Sequence, residues 1–393
     1  MKTLEIGIAG AGSGGLAAAA GLAQAGHRVS VFDRFDTPKP VGSGLVIQPV
    51  GQAVLAQIGA ADKALDLGNP ISRMVGREAR NMRRVLDVSY DLSGTDARFG
   101  LALHRSALFE AVLDAARMAG AELIPEHEAV GLTQGPKRQI RFTKGRESAP
   151  FDLVIDAAGA GSPLSPLVAR TLPYGAIWGT VDWPAETDLR PDWLSQSYRA
   201  ARRMAGVLPI GRLPGDTTTK AAIFWSLTPN SLTRWKDAAL DAWKEEASEF
   251  WPSFAPFLTG LTDHVQMTPA FYSHGTLRQP VREGLVHIGD AAHRASPQLG
   301  QGANMALLDA HALCTALAVK RLPDALTHYV QIRRRHLWLY QLMSAAFTPL
   351  YQSDSRWLPA LRDHVLTPLS RVPPMPRILS RLVCGDLVPP IRT

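Results

Sequence analysis

Short apolar runs, which predict strands, alternate along much of this chain with longer amphipathic or Ala/Leu-rich runs, which predict helices. The first unit has this strand–helix–strand order over residues 4–9, 16–25 and 28–32. The same alternation returns in residues 99–170 and 284–342. It is typical of a parallel sheet with helices on its faces. We therefore predict an α/β domain assembled from residues 1–70, 99–170 and 284–342.

The segments between these pieces have a different pattern. Residues 71–98 and 171–283 are richer in strand-like alternation, with short runs at 175–181, 205–210 and 220–227. They predict an interleaved β-rich domain that covers a ligand and lines a substrate pocket, with one helix at 235–250. Residues 343–393 predict a C-terminal helical segment, which prolines near residue 374 interrupt.

The turn between the first strand and the first helix has the sequence GAGSGG, residues 10–15. Gly10 permits the tight turn, Gly12 lets the backbone approach a pyrophosphate, and Gly15 lets the helix pack on the strand. The phosphates would lie at the helix N-terminus. Asp33 follows the second strand about 20 residues later, where an acid binds the adenosine ribose. The sequence therefore predicts a Rossmann-type dinucleotide site with an unphosphorylated ribose.

A second glycine-bearing stretch follows the apolar strand at 285–288. It leads into a long helix that we predict from about Gln301 to Val319. A helix N-terminus presents N–H groups and partial positive charge, which would stabilise the anionic pyrimidine edge of a reduced flavin. Asp290 would accept hydrogen bonds from ribityl hydroxyls.

Residues 289–310, GDAAHRASPQLGQGANMALLDA, resemble the GDAAH…P…GQGxNxAxxDA signature of the FAD-dependent aromatic hydroxylases of the para-hydroxybenzoate hydroxylase class. The likeness covers residues 4 to about 335. It implies a monooxygenase that uses molecular oxygen to hydroxylate an aromatic or quinone-like small molecule through a flavin C4a-hydroperoxide. It also implies a catalytic-loop role for Pro297 and a structural role for His293. The residues implied in FAD binding are Gly10, Gly12, Ser13, Gly14, Gly15, Asp33, Arg34, Gly44, Arg105, Val130, Asp290, Gly300, Gln301, Gly302, Ala303 and Asn304.

One family element differs in this chain. The family has ADG, a serine and then an arginine three residues later, whereas this chain has Ala158 for the aspartate and Ser165 for the arginine. Asp156 is two residues out of register, and we do not expect it to compensate. In the family the element serves both FAD and NAD(P)H, so FAD is expected while NADH or NADPH as co-substrate is open. An oxidase or dehydrogenase, a hydroxylase with a separate reductase, and a redox-silent flavin protein remain alternatives.

The chain has a net charge of +7 and a pI near 9.6, which favours anionic cofactors, acidic substrates or an anionic membrane surface. No nucleic-acid motif surrounds the arginine clusters, so we predict no nucleic-acid partner, and we interpret residues 333–335 as a solvated helix face. A peripheral membrane or reductase contact and the oligomeric state are left open. Two cysteines allow neither a disulfide framework nor a metal cluster, and we predict no metal site and a cytoplasmic location.

Side chains of the β-rich segments supply the candidates for substrate contact. They are Tyr198, Arg212, Trp225 and Tyr272. Large aromatic residues on strands more often belong to a core than to a ligand site. No long apolar span in the sequence predicts a membrane helix. The N-terminal apolar run is superficially similar to a signal peptide, but the glycine fingerprint occupies it, so we do not predict one.

Overall fold

A six-stranded sheet carries the first glycine turn at its edge. The structure is a computed structural model that describes residues 2–36, 43–95 and 97–391. Its strands pair in parallel except for β17, which is antiparallel to β18. Across the sheet the strands are β17 (Val281–Arg282), β18 (Leu285–His287), β11 (Leu153–Asp156), β1 (Glu5–Ala9), β2 (Arg28–Phe32) and β8 (Glu122–Ile124).

Six helices pack with this sheet and with each other. They are α1 (Ser13–Gln24), α2 (Pro49–Gln57), α3 (Ala61–Leu67), α4 (Arg105–Met118), α7 (Gly302–Val319) and α8 (Leu322–Tyr351). The small side chains of α1 let α7 approach closely, since a Cβ at Gly21 would lie 2.8 Å from the Cys314 Sγ. By length and hydropathy α7 alone, among the described residues, is apolar enough to cross a membrane, but 56% of it is buried here. It is the central core helix of this fold.

A small three-stranded sheet connects the two larger sheets. It is formed by β3 (Gly44–Ile47), β7 (Gly100–His104) and β4 (Asn69–Ile71). At Gly44 a Cβ would lie 2.5 Å from the Cβ of Ala222 and 2.7 Å from Cγ2 of Ile210, so β3 lies directly on the second large sheet. A separate hairpin consists of β9 (Ala129–Leu132) and β10 (Ile140–Phe142).

The second large sheet has eight strands, and the predicted runs near 175, 205 and 220 form three of its central members. Within the described residues its strands pair antiparallel, except for Trp193–Arg199 and Arg73–Glu78, which pair in parallel. In spatial order the strands are β19 (His293–Arg294), β16 (Met267–Thr276), β12 (Arg170–Asp182), β15 (Thr219–Leu227), β14 (Arg203–Arg212), β13 (Trp193–Arg199), β5 (Arg73–Glu78) and β6 (Arg84–Ser89).

One face of this sheet is covered by two helices, α5 (Pro229–Asp237) and α6 (Leu240–Phe250). The prediction of one helix over 235–250 is wrong, because Ala238 is extended and ends α5. The break lets Trp235 and Trp243 meet edge to face at 5.9 Å, and Trp243 also contacts Trp225. All three rings are buried in one aromatic core.

The other face of the sheet packs on the dinucleotide part and on the C-terminal helices. Helix α8 continues past residue 342, so the boundary predicted there falls within a helix. After it come α9 (Trp357–Leu361), a π-helical turn (Arg362–Leu366), α10 (Thr367–Leu369) and α11 (Met375–Cys384). The predicted fold class, a Rossmann-type α/β domain with interleaved β-rich segments and C-terminal helices, is confirmed.

The prediction of a solvated arginine cluster at residues 333–335 is wrong for its first member. Arg333 is 2% exposed, whereas Arg334 and Arg335 are exposed. The Arg333 Nε donates to Asp309 Oδ1 at 2.8 Å and its Nη1 to the Pro390 carbonyl at 3.0 Å. Consecutive residues of a helix point in different directions, so a run of three arginines cannot share one environment.

Candidate functional site

The turn between β1 and α1 is tightly packed on one side and open on the other. Gly10 has φ +103°, and a Cβ there would lie 2.6 Å from the Ala157 carbonyl oxygen. A Cβ at Gly15 would lie 2.1 Å from the Gly10 oxygen. At Gly12 a Cβ would meet no atom within 4 Å. The turn therefore holds its own shape and leaves a cradle at the start of α1.

Two helix N-termini meet at this cradle. The Leu16 amide donates to the Gly12 oxygen at 2.9 Å, so the amides of Ser13, Gly14 and Gly15 precede the first intrahelical bond of α1. A Cβ at Gly14 would lie 3.0 Å from the Cβ of Ala306, in the first turns of α7. The start of α1 therefore packs on the first turns of α7, and the free amides and partial positive charge of α1 suit a pyrophosphate.

The acid after β2 closes the glycine turn. Asp33 Oδ2 accepts from the Ala11 amide at 2.8 Å and Oδ1 from the Phe35 amide at 3.1 Å. The exposed Arg34 places its guanidinium 4.8 Å from the centre of the Phe35 ring. Val130 is 48% exposed on the β9–β10 hairpin, outside the sheet that carries the other predicted residues.

The start of α7 is fixed by side chains predicted to bind the cofactor. Asn304 is fully buried; its Oδ1 accepts from the Gln48 amide at 2.8 Å, and its Nδ2 donates to the oxygens of Val46 and Gly300. Gln301 Nε2 donates to the Val383 oxygen at 3.0 Å. Asn304 therefore joins α7 to β3, and only its backbone amide, with those of Gly302 and Ala303, faces the helix N-terminus.

Unpaired polar atoms surround this helix start. Among the described residues, Gln48 Oε1, Gln298 Nε2 and Gln301 Oε1 are buried without a hydrogen-bond partner. A Cβ at Gly302 would again meet nothing within 4 Å. Buried polar groups are normally paired, so these atoms indicate a polar ligand. An open cradle at Gly12, a second at Gly302 and two helix N-termini fit FAD.

A buried ionic cluster holds the loop between these elements. Asp309 Oδ2 accepts from the Gly289 amide at 3.0 Å and pairs with His293 Nε2 at 2.6 Å. Burial would raise the pKa of Asp309, but the charges of His293 and Arg333 hold it well below its usual range. His293 therefore positions the loop. Asp290, next to it, is exposed and available for a ligand.

The residues of the altered family element are used inside the protein. Asp156 is fully buried, with Oδ2 2.7 Å from His287 Nδ1 and Oδ1 accepting from Ser162 Oγ at 2.7 Å. The Ser165 hydroxyl donates to the Ala291 oxygen. Asp156 also accepts from the Ala158 amide at 3.2 Å. It therefore has its partners within the fold and does not replace the missing aspartate.

Two half-buried aromatic side chains of the eight-stranded sheet, Trp178 and Tyr272, lie near the segment that leads into β3, and we call this place the aromatic site. Ser43 Oγ donates to the Gly179 oxygen at 3.1 Å. The adjacent residue, Trp178, donates through Nε1 to Tyr272 Oη at 2.8 Å. Burial raises the pKa of Tyr272 to about 12, against the bond from Trp178 and the charge of Arg105, which both lower it. The Arg105 amide donates to the Ser43 oxygen at 3.1 Å, so this exposed first residue of α4 lies beside the aromatic site.

The predicted catalytic residue Pro297 lies in a loop that is bonded to β16 near Tyr272. It begins a 3-10 turn and is half-buried. The Ser296 amide before it donates to His274 Nε2 at 3.2 Å, and the Ser296 oxygen accepts from Ser344 Oγ at 3.3 Å. Strand β16 and helix α8 thus fix the loop from both sides. His274, the residue of β16 that makes the contact, lies two residues along the strand from Tyr272.

Of the four substrate candidates, only Tyr272 belongs to the aromatic site. Trp225 belongs to the aromatic core on the opposite face of the sheet. Tyr198 is 1% exposed beside Tyr351, and Arg212 pairs with Asp66 at 2.9 Å. Sequence reasoning missed Trp178, Gln48 and His274; no local motif distinguishes them, since each acquires its role from a partner on another element.

The comparisons with known proteins agree with this geometry. Residues 3–341 match the family described as FAD binding domain. A probable 2-heptyl-3-hydroxy-4(1H)-quinolone synthase, AqdB2 of Rhodococcus erythropolis, is 28% identical over 384 residues, which cover 93% of this chain and 91% of the relative. The aurachin C monooxygenase/isomerase of Stigmatella aurantiaca is 28% identical over 350 residues, with 85% and 86% coverage.

A solved structure supports the fold. HpxO of Klebsiella pneumoniae, complexed with FAD and uric acid, aligns with a TM-score of 0.79 at 21% identity, over 98% of each chain. The family match and the relatives confirm the resemblance to FAD-dependent aromatic hydroxylases that the 289–310 signature indicated. With a family match over 3–341, a cradle at Gly12 and two helix N-termini that meet there, this chain belongs to the FAD-binding domain family.

Proposed function

We propose that this protein is an FAD-dependent monooxygenase that hydroxylates an aromatic or quinone-like small molecule. The observation that carries the proposal is that the fold combines open glycine positions at the starts of α1 and α7 with the half-buried aromatic site. The Ser43–Gly179 hydrogen bond lies beside Trp178, and the Ser296–His274 hydrogen bond lies beside Pro297, with His274 two residues along β16 from Tyr272. The relatives with monooxygenase and quinolone synthase names extend over most of the chain and support the same activity.

The protein's own residues bind and orient the reactants. The amides of Ser13 to Gly15 would hold the pyrophosphate, and those of Gly302 to Asn304 would face the flavin ring system. When bound, FAD supplies the activation of molecular oxygen. The N-terminus of α7 stabilises negative charge on a neighbouring ligand without reorganisation, because Asn304 and Gln301 already fix its position.

The residues of the aromatic site would bind a planar substrate. Trp178 lies 4.6 Å from Phe224, centre to centre, and both rings belong to the face of the sheet that meets the dinucleotide part. Phe347 of α8 and Leu299 of the Pro297 loop add half-buried apolar surface. Such walls exclude water and favour an aromatic ring.

Tyr272 would donate a hydrogen bond to the substrate. Its oxygen accepts from Trp178, and its own proton has no acceptor among the described residues. With its pKa raised to about 12 the phenol keeps that proton at neutral pH. A carbonyl, a heterocyclic nitrogen or a phenolate oxygen on the substrate would accept it.

The reductant is the second part of the proposal. NADH or NADPH is the expected electron donor, by analogy with the family. A separate reductase is the alternative, and the engagement of Ser165 and Asp156 in internal hydrogen bonds favours it. Neither residue replaces the charges that the family places at this element.

Anaerobic reduction tests the proposal. The purified protein, saturated with FAD, is mixed with NADH or NADPH, with and without a panel of phenols, quinolones and purines, and flavin absorbance is followed. Oxygen is then admitted and product mass measured. A product heavier by one oxygen atom, labelled from ¹⁸O₂, supports the monooxygenase. Normal photoreduction of the flavin without any oxygenated product from the panel contradicts it. No bleaching by either nucleotide, with oxygenation restored by an added flavin reductase system, supports the separate reductase.

A further inference from the structure

The helical rod formed by α9, the π-helical turn and α10 has its apolar side outward. Its exposed positions are Trp357, Ala360, Leu361, His364, Val365, Pro368 and Leu369, of which only the histidine is polar. Trp357 is 83% exposed, Val365 51% and Leu369 48%. We call the six apolar residues the C-terminal apolar face. A surface helix of a soluble protein normally presents the reverse arrangement.

The opposite side of the same rod packs Leu358, Pro359 and Leu366 inward and is fixed in place by Arg362. Arg362 is 1% exposed; its Nη1 donates to the Ala200 and Leu350 oxygens at 3.0 and 3.1 Å, and its Nε to Asp363 Oδ1 at 2.6 Å. Its guanidinium also lies over the rings of Tyr198 and Tyr351. Rotating the rod to hide its apolar face would leave this charge unpaired, so the exposure of the face is built into the fold.

Exposed basic residues precede and follow the apolar face along the chain. Arg356, Arg371 and Arg377 are exposed, and none has a carboxylate within ion-pair distance among the described residues. The one acid of the rod, Asp363, is paired with Arg362 and with Arg83. Val372, between two of these arginines, is 54% exposed. The surface therefore combines exposed apolar side chains with unneutralised positive charge.

The combination of exposed apolar side chains and positive charge indicates what binds to this face. A symmetric contact between two copies would bring the positive charge of both surfaces together, which costs energy. Anionic lipid headgroups would neutralise them, while an aromatic and aliphatic helix face suits the boundary between headgroups and acyl chains. We propose that the C-terminal apolar face docks the protein on the surface of an anionic phospholipid bilayer. Docking goes beyond the proposed hydroxylation and does not depend on it.

Vesicle flotation with the full-length protein, loaded with FAD, tests the docking. Vesicles of phosphatidylglycerol and phosphatidylcholine are compared with vesicles of phosphatidylcholine alone, at low and high salt. We expect binding to the anionic vesicles that weakens at high salt. Trp357→Ser with Leu361→Ser should lower the partition coefficient at least about tenfold, and Arg371→Gln or Arg377→Gln about fivefold each, because a basic residue near such a surface contributes about 1 kcal/mol.

Matched variants control for loss of surface hydrophobicity and charge elsewhere. Met118→Gln and Val168→Ser replace side chains that are 87% and 94% exposed, and Arg117→Gln removes an exposed arginine. These should bind vesicles like the unchanged protein. Melting temperatures of all variants verify folding, and tryptophan quenching by brominated lipid should lose its Trp357-dependent part in Trp357→Phe.

Three results would overturn the docking. The first is no flotation with anionic vesicles. The second is flotation that the control variants reduce as much as the face variants do. The third is a dimer in analytical ultracentrifugation that Trp357→Ser with Leu361→Ser dissociates, since the face would then be a contact between copies.

Discussion

Replacing Gly12 by alanine should separate the ligand cradle from the fold. The Gly12 backbone has φ −76° and ψ 175°, which alanine adopts readily, and its Cβ would meet no protein atom within 4 Å. The only cost to the protein without FAD is a weaker helix N-cap, less than about 1 kcal/mol. The new methyl group projects into the open cradle where we place the pyrophosphate.

The cost to FAD binding follows from the helix amides that the methyl group would obstruct. Loss of one or two hydrogen bonds to a charged phosphate costs about 1.5–3 kcal/mol each. The dissociation constant of FAD should therefore rise roughly 10-fold to 20,000-fold. The assay is titration of deflavinated protein with FAD by flavin fluorescence, alongside thermal melts without FAD. A melting temperature close to that of the unchanged protein is expected.

Two further substitutions make the result decisive. At Gly15 the Cβ would lie 2.1 Å from the Gly10 oxygen, so Gly15→Ala should destabilise the protein without FAD by about 1–3 kcal/mol or more. At Gly260 a Cβ also meets nothing within 4 Å, and Gly260→Ala should change neither quantity. If Gly12→Ala binds FAD as tightly as the unchanged protein, the cradle assignment is refuted.

The remaining predictions concern the aromatic site and the buried ionic cluster around Asp309. Tyr272→Phe should raise the KM of the aromatic substrate about three- to tenfold and leave FAD affinity unchanged; an unchanged KM would contradict its donor role. Arg333→Met should lower the free energy of unfolding, measured by urea titration, by about 3–5 kcal/mol, because the buried Asp309 carboxylate would lose its arginine partner. A loss below about 1 kcal/mol would refute this. Burial, with the charge of Arg333, lowers the pKa of His336 from 6.5 to about 4. As the pH falls, the unfolded chain binds the proton before the folded protein does. This contribution to stability is therefore complete above about pH 6.5 and is lost as the pH falls towards 4. His336→Asn should flatten the dependence of the melting temperature on pH over that range, and an unaltered dependence would show that another group is responsible.

The sequence by itself determined the parts that depend on contiguous residues. The GAGSGG turn, its flanking strand and helix, and the start of α7 follow from local backbone requirements: Gly10 needs a positive φ, and Gly15 lies against the turn's own oxygen. The 289–310 signature determined the family for the same reason. Alternation of period two located the central strands of the eight-stranded sheet, because strand faces differ in burial.

Only the tertiary structure decided which polar groups remain available. The side chains of Asn304 and Asp156 are both occupied by partners on other elements of the fold. The same applies to Arg333, which pairs with Asp309 across a helix pair. Hydrogen-bond partners from distant segments leave no local trace in the sequence, so the type of a residue did not reveal its environment.

The C-terminal rod shows most clearly what the sequence could not determine. Its sequence has apolar and polar residues at helical spacing, which predicts a helix with its apolar side packed inward. In the structure Arg362 occupies the inward side, because the carbonyls of Ala200 and Leu350 and the acid Asp363 satisfy it there. The periodicity of a helix fixes which residues share a face, whereas the partners available on the rest of the fold decide which face is buried.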